Sequence, residues 1–90
     1  MIKHHFNIFV VTLLLVFLNP LSGFALTKEI ADSCYRQGNY QQAISDYKAL
    51  LRQGVSSDLY YNLGNAYYRS DSLAQAILNY ERAYRLSPSD

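Results

Sequence analysis

The chain has 90 residues, with 8 Lys and Arg against 7 Asp and Glu, a formal net charge of +1, and charges of both signs interspersed along it. That balance, with no basic stripe, excludes a polyanion binder of the nucleic-acid class. The single cysteine, Cys34, excludes an intramolecular disulfide, and the two histidines, His4 and His5, both stand near the start.

Residues 1–25 read as a targeting segment. Lys3, His4 and His5 make a short polar start, residues 8–18 are almost wholly apolar, and Pro20 breaks the run. Gly23 and Ala25 then set small residues at the two positions a signal peptidase reads. Residues 1–25 are therefore expected to be a signal peptide cleaved after Ala25, which makes the protein exported, periplasmic or secreted. The apolar run falls well short of the roughly 18 residues a spanning helix requires, so a retained, signal-anchored membrane scaffold is the alternative. Cleavage removes one basic residue, Lys3, leaving 7 basic against 7 acidic residues and no histidine. The commonest general base and metal ligand is then missing from the mature chain.

Without a neighbouring base, Cys34 is a poor thiolate nucleophile and is expected as a small, buried, apolar residue. The remaining sequence shows no nucleophile with a base, no metal-ligand cluster and no phosphate-binding glycine loop. Asp32, Glu29 and Asp46 read as solvated helix charges, with Lys48 balancing Asp46 at the surface. No catalytic, cofactor or metal site is expected, and the chain is not read as an enzyme.

Capping chemistry sets the elements. Asn39 with Gln42, and Ser72 with Gln75, have the spacing of capping boxes, and Ser57 stands ready to cap a helix starting at Asp58. Gly38 and Gly54 act as helix stops. Four helices follow, near 27–37, 40–53, 58–70 and 73–86, and no run alternates with period two for long enough to make a strand. The fold class is all-α.

The two halves repeat. When Cys34 is aligned with Tyr67, the residues Tyr35, Arg36, Gln42, Ala43, Ile44, Tyr47 and Arg52 meet the same residue types at Tyr68, Arg69, Gln75, Ala76, Ile77, Tyr80 and Arg85. In the second half, Tyr60, Leu63, Gly64, Tyr67, Ala76, Tyr80, Ala83 and Pro88 stand at the spacings W-x2-L-G-x2-Y, A-x3-F and P, with Tyr for Trp and for Phe. This pattern resembles the tetratricopeptide (TPR) repeat. The resemblance implies two helix-turn-helix hairpins, the start of an α-solenoid, following the signal peptide. Residues 26–56 form a degenerate first repeat, with Ile30, Ala31 and Cys34 in place of Leu63, Gly64 and Tyr67, and residues 57–90 a second. A small Cys34 in place of Tyr67 leaves space that a neighbouring tyrosine is expected to fill. The family period is longer by one than the step from Cys34 to Tyr67, so one residue is missing, placed by expectation in the connection 53–57.

The resemblance also places a concave groove on the first helix of each pair. By spacing, the groove takes Lys28, Asp32, Tyr35 and Arg36 from the first repeat and Tyr61, Asn62, Asn65, Tyr68 and Arg69 from the second. It implies a protein or peptide partner, held by aromatic faces, amides and arginines. Lys28 and Asn62 match part of a carboxylate clamp, but Asp32 stands where the clamp has Asn and would repel a carboxylate. A glycan binder stacking sugars on tyrosines is a further alternative. Two repeats rarely bury a continuous core alone, so helix 73–86 is expected to show an uncovered apolar edge with Ile77, Tyr80 and Tyr84. A longer protein, or self-association through helix 73–86, would cover it. An exported chain with LYYNLGNAYYR and AILNYERAYRLSP is also similar to the N-terminal part of BatE-type TPR proteins of the Bacteroidetes aerotolerance operons. That likeness implies a periplasm-facing scaffold with membrane partners.

Overall fold

A computed structural model of the chain describes residues 25–88. The expected signal peptide, apart from Ala25, lies outside the described residues. Among the described residues there are four helices and no strand: α1 (Lys28–Arg36), α2 (Tyr40–Gln53), α3 (Ser57–Arg69) and α4 (Leu73–Leu86). Each packs on the next, α1 on α2, α2 on α3 and α3 on α4.

Side-chain caps fix most of the starts. Thr27 accepts the Ile30 N–H at 3.3 Å to open α1, and Asn39 accepts the Gln42 N–H at 3.4 Å to open α2. At α3 the cap is Ser56, not the expected Ser57: its hydroxyl accepts from the Leu59 N–H at 3.1 Å. Ser57 is instead the first helical residue, and its hydroxyl donates across the second hairpin to the Ala83 carbonyl at 3.0 Å. Neither expected capping box closes. The Gln42 amide turns forward to Asp46 at 2.8 Å, and Ser72 makes no side-chain cap to α4.

Both hairpins turn through the same device. Gly38 has φ +81°, its N–H bonds the Tyr35 carbonyl at 3.0 Å, and the Asn39 N–H bonds the Cys34 carbonyl at 2.9 Å. Asp71, its counterpart in the second repeat, has φ +64°, with Asp71 and Ser72 donating to Tyr68 and Tyr67 at 3.2 and 2.9 Å. These paired bonds satisfy the last free carbonyls of α1 and α3, as a Schellman turn does. Glycine takes that backbone without penalty, whereas Asp71 incurs a steric cost at Cβ. At the other end, α4 stops at Leu86, two residues before Pro88, whose ring cannot continue the helix.

The core joins three helices: Ala31 of α1, Ala43, Ile44, Tyr47 and Leu50 of α2, and Leu63 and Ala66 of α3, with Leu26, Leu51, Leu59 and Tyr67 around them. On the second hairpin the buried positions of α4 are Ala76, Asn79 and Ala83. The small residues let the helices approach until the Tyr80 ring rests on Gly64. Equivalent positions do not have equivalent surroundings. Ile44, covered by the following helix, is 7% exposed, whereas Ile77 is 51% exposed and Tyr84 64%. The expected apolar edge is therefore present at Ile77 and Tyr84. Tyr80 departs from that expectation: it is half-buried, because its ring turns inward onto Gly64.

Candidate functional site

The groove is built on two copies of one hydrogen bond. The Tyr47 hydroxyl donates to the Asp32 carboxylate, and at the matching positions of the second repeat the Tyr80 hydroxyl donates to Asn65 Oδ1 at 2.6 Å. In each hairpin a tyrosine from the second helix thus fixes an Asx side chain on the first. Phenylalanine would fill the same volume but leave that polar group free to rotate.

Around the first pair, Lys28, Asp32, Tyr35, Arg36 and Tyr47 meet Asn62 and Asn65 in a cleft of about 190 Å³ between successive first helices. Six of the nine expected groove residues stand together there: Lys28, Asp32, Tyr35, Arg36, Asn62 and Asn65. Lys28 pairs with Asp32 at 3.1 Å, one helical turn away. Partial burial of Asp32 works to raise its pKa, but the Tyr47 hydroxyl and the Lys28 ammonium, with Arg36 further off, outweigh it and hold the carboxyl below its ordinary value. Asp32 is thus an anion already balanced by its neighbours. Burial, then the Asp32 carboxylate, push the Tyr47 phenol well above its usual range, so it stays a donor.

The other three expected residues sit elsewhere. Tyr61 packs on Tyr80, ring centroids 5.6 Å apart, and lines a separate cleft of about 470 Å³ with Asp58, Ala83 and Tyr84. Tyr68 and Arg69 border a third depression with Asp71 and Leu73. The Arg69 guanidinium lies 5.3 Å from the centre of the Tyr40 ring, and Tyr35 meets the same ring edge-on at 5.4 Å. Tyr40 therefore joins the repeats, and Arg69 is engaged at that joint by a cation–π contact. Tyr35 of the first Tyr-Arg pair and Arg69 of the second thus meet at one ring, Tyr40.

Two residues depart from their expected roles. Asp46 is not a solvated helix charge balanced by Lys48: it is buried, accepting from the Gln42 amide at 2.8 Å and from the Cys34 thiol at 3.7 Å. Cys34 is only half-buried: it packs against the core, and its thiol also donates to a carboxylate. The hydrogen-bond partner of this thiol is Asp46. Burial and then the Asp46 charge push its pKa up, which lowers its reactivity.

Tyr47 is the cleft residue that sequence reasoning missed, because its spacing reads as packing alone. The signal was available: both copies have Tyr where the repeat pattern has Phe, and an Asx residue earlier in the same hairpin to receive the hydroxyl.

Comparison with known proteins agrees with this geometry. The model of the family described as "Tetratricopeptide repeat" matches residues 28–90. Proteins named tetratricopeptide repeat protein 16 from Macaca fascicularis and from Homo sapiens are each 38% identical over 63 residues, which is 69% of this chain. The chain spans about 7% of the length of these curated relatives. With repeated helical hairpins, a tyrosine resting on the signature glycine, and a family match over most of its length, the chain belongs to the tetratricopeptide repeat family.

Proposed function

We propose that this chain is a non-enzymatic interaction scaffold that holds a peptide, or an extended segment of a partner protein, in the cleft between α1 and α3. The observation that carries the reading is the convergence of Lys28, Asp32, Tyr35 and Arg36 with Asn62 and Asn65 around one cleft. Family membership supports it, since repeats of this kind commonly bind protein or peptide partners.

The chemistry narrows the ligand. With its Oδ1 accepting from Tyr80, Asn65 offers its amide donors to the cleft, and the exposed Arg36 offers more. Lys28 is paired with Asp32, so a terminal carboxylate finds no free lysine to grip it. The cleft suits the backbone carbonyls of an extended segment better than a chain end. Residues 1–25 support an exported scaffold, and the likeness to BatE-type proteins supports one facing the periplasm with membrane partners. Among the described residues no helix is long and apolar enough to cross a membrane.

Selection of a displayed peptide library against the full chain, followed by titration of the selected peptides, tests the groove. Replacing both Arg36 and Asn62 by Ala, neither of which is in the core, should weaken binding by roughly tenfold or more. Amidating the peptide's C-terminus should leave affinity unchanged. Equal binding by wild type and variant would remove the groove assignment. A mature N-terminus other than Leu26 in the exported protein would remove the cleavage.

A further inference from the structure

A further cleft, of about 390 Å³, opens between α2 and α4, with Tyr60, Leu63 and Tyr67 of α3 between them. On α3 these three stand on the stripe opposite Asn62 and Asn65, so this cleft faces away from the groove and shares no residue with it. Its exposed cations are Lys48 and Arg52 from α2 and Arg82 from α4, and no Asp or Glu lines it. The cluster makes no basic stripe in the sequence, because only the packing of α2 and α4 against α3 brings these residues to one place.

None of the three cations is neutralised. The ion pairs among the described residues are Lys28–Asp32 and Glu81–Arg85, and neither involves them. Lys48 and Arg52 are like charges one turn apart on α2, an arrangement that disfavours the helix and that a bound anion relieves. The Arg82 guanidinium lies over the Tyr60 ring, 5.8 Å from its centre, which holds the cation in place without using its N–H donors. A buried group points to a ligand as well. Asn79 lines the cleft, is 2% exposed, and donates through Nδ2 to the Gln75 carbonyl at 2.8 Å, yet its Oδ1 has no hydrogen-bond partner among the described residues. The first repeat meets the same need internally: at the matching position Asp46 accepts from Gln42 and Cys34. In the second repeat Tyr67 replaces Cys34 and Gln75 makes no such bond, so the buried acceptor is left for a donor from outside.

We infer that this cleft binds an acidic peptide segment in extended conformation, with its carboxylates on Lys48, Arg52 and Arg82 and a backbone N–H on Asn79 Oδ1. The spacing fits. Lys48 and Arg52 stand about 6 Å apart along the α2 axis, and alternate side chains of an extended segment are roughly 6.6 Å apart. The guanidinium forks grip carboxylates, while Leu51 and Leu78 give apolar contact to the residues between them. A phosphodiester would satisfy the cations but bring no N–H to Asn79. The site does not rest on the groove between α1 and α3.

Fluorescence anisotropy of the full chain with a short labelled peptide alternating glutamate and leucine, capped at both ends, provides the test. The wild type should bind it, less tightly as salt rises, and should bind the version with glutamine for glutamate roughly tenfold more weakly or worse. Lys48→Ala combined with Arg52→Ala, both at exposed positions, should weaken binding by roughly tenfold or more, with helicity followed by circular dichroism. Methylating the peptide's backbone nitrogens one at a time should weaken binding several-fold at one position at least, where Asn79 loses its donor. Arg36→Ala combined with Asn62→Ala should leave binding of this peptide as it is. No binding by the wild type, equal binding of the glutamate and glutamine peptides, wild-type affinity without Lys48 and Arg52, or indifference to every methylation would overturn the inference. So would a loss on removing Arg36 and Asn62, which would put the peptide in the groove. Oligothymidine or phosphatidylglycerol vesicles bound as tightly as the peptide would overturn it too, by showing an anion site without selectivity.

Discussion

The Tyr80 ring lies so close to Gly64 that a Cβ on residue 64 would stand 2.6 Å from Cε1 and 2.7 Å from Cδ1. The ring has little freedom to yield, since Asn65 holds its hydroxyl and Tyr61 packs beside it. Overpacking of this kind costs about 1–3 kcal/mol, while alanine's better helix propensity returns up to about 1 kcal/mol. Gly64→Ala should therefore destabilise the fold by about 1–2 kcal/mol in urea unfolding. In a Tyr80→Leu background the same change should cost little, and additive losses would show that the strain lies elsewhere.

Acid should act through Asp32. Its folded pKa is below its unfolded value, so it contributes stability above the unfolded value, near pH 4, that is lost as pH falls through the folded pKa. Asp32→Asn keeps an acceptor for Tyr47, as Asn65 does for Tyr80, but cannot titrate. The melting temperature of the variant should fall less steeply than that of the wild type below about pH 4. Parallel curves would assign the acid sensitivity to other carboxylates.

Asp71 holds a left-handed conformation with φ +64°, where its counterpart is Gly38. A left-handed backbone costs a residue with a Cβ roughly 1 kcal/mol, less for Asp than for most. Asp71→Gly should raise stability by about 0.5–1 kcal/mol, and Gly38→Ala should lower it by about 1 kcal/mol. Chemical denaturation of the two variants measures both, and opposite signs are the expected result.

Cys34 should react slowly despite its partial exposure. Burial and the Asp46 carboxylate both disfavour the thiolate, which is the alkylating species. At about pH 8 iodoacetamide should modify the folded chain several-fold more slowly than the urea-unfolded chain. Asp46→Asn should close part of that gap by removing the opposing charge while leaving an acceptor for Gln42. Equal rates in folded and unfolded chains would separate the thiol from Asp46.

Much of the architecture was legible in short-range chemistry. Helices expected near 40–53 and 73–86 occur at those residues, because Asn39, Gly38 and Pro88 act within one turn of their own positions. The Ser56 and Ser57 assignment failed for the opposite reason. Both are serines beside the same helix, and Ser57 is drawn away by a partner far along the chain, the Ala83 carbonyl. Asp46 was unreadable for the same reason: its burial depends on Cys34, on another helix, as well as on Gln42 in its own.

By itself the sequence determined the repeat, the small residues where helices meet and the aromatic positions around them, since spacing along a helix dictates which side chains share a face. It also placed Lys28, Tyr35, Arg36, Asn62 and Asn65 on the first helix of each hairpin. Only tertiary structure decided which of these meet: the packing of α1, α2 and α3 gathers those five at one cleft, turns Tyr61 toward Tyr80 and lays Arg69 over Tyr40. The reason is that a helix offers a residue a direction, while its partner depends on the distance and angle of the neighbouring helix, set by contacts such as Tyr80 on Gly64.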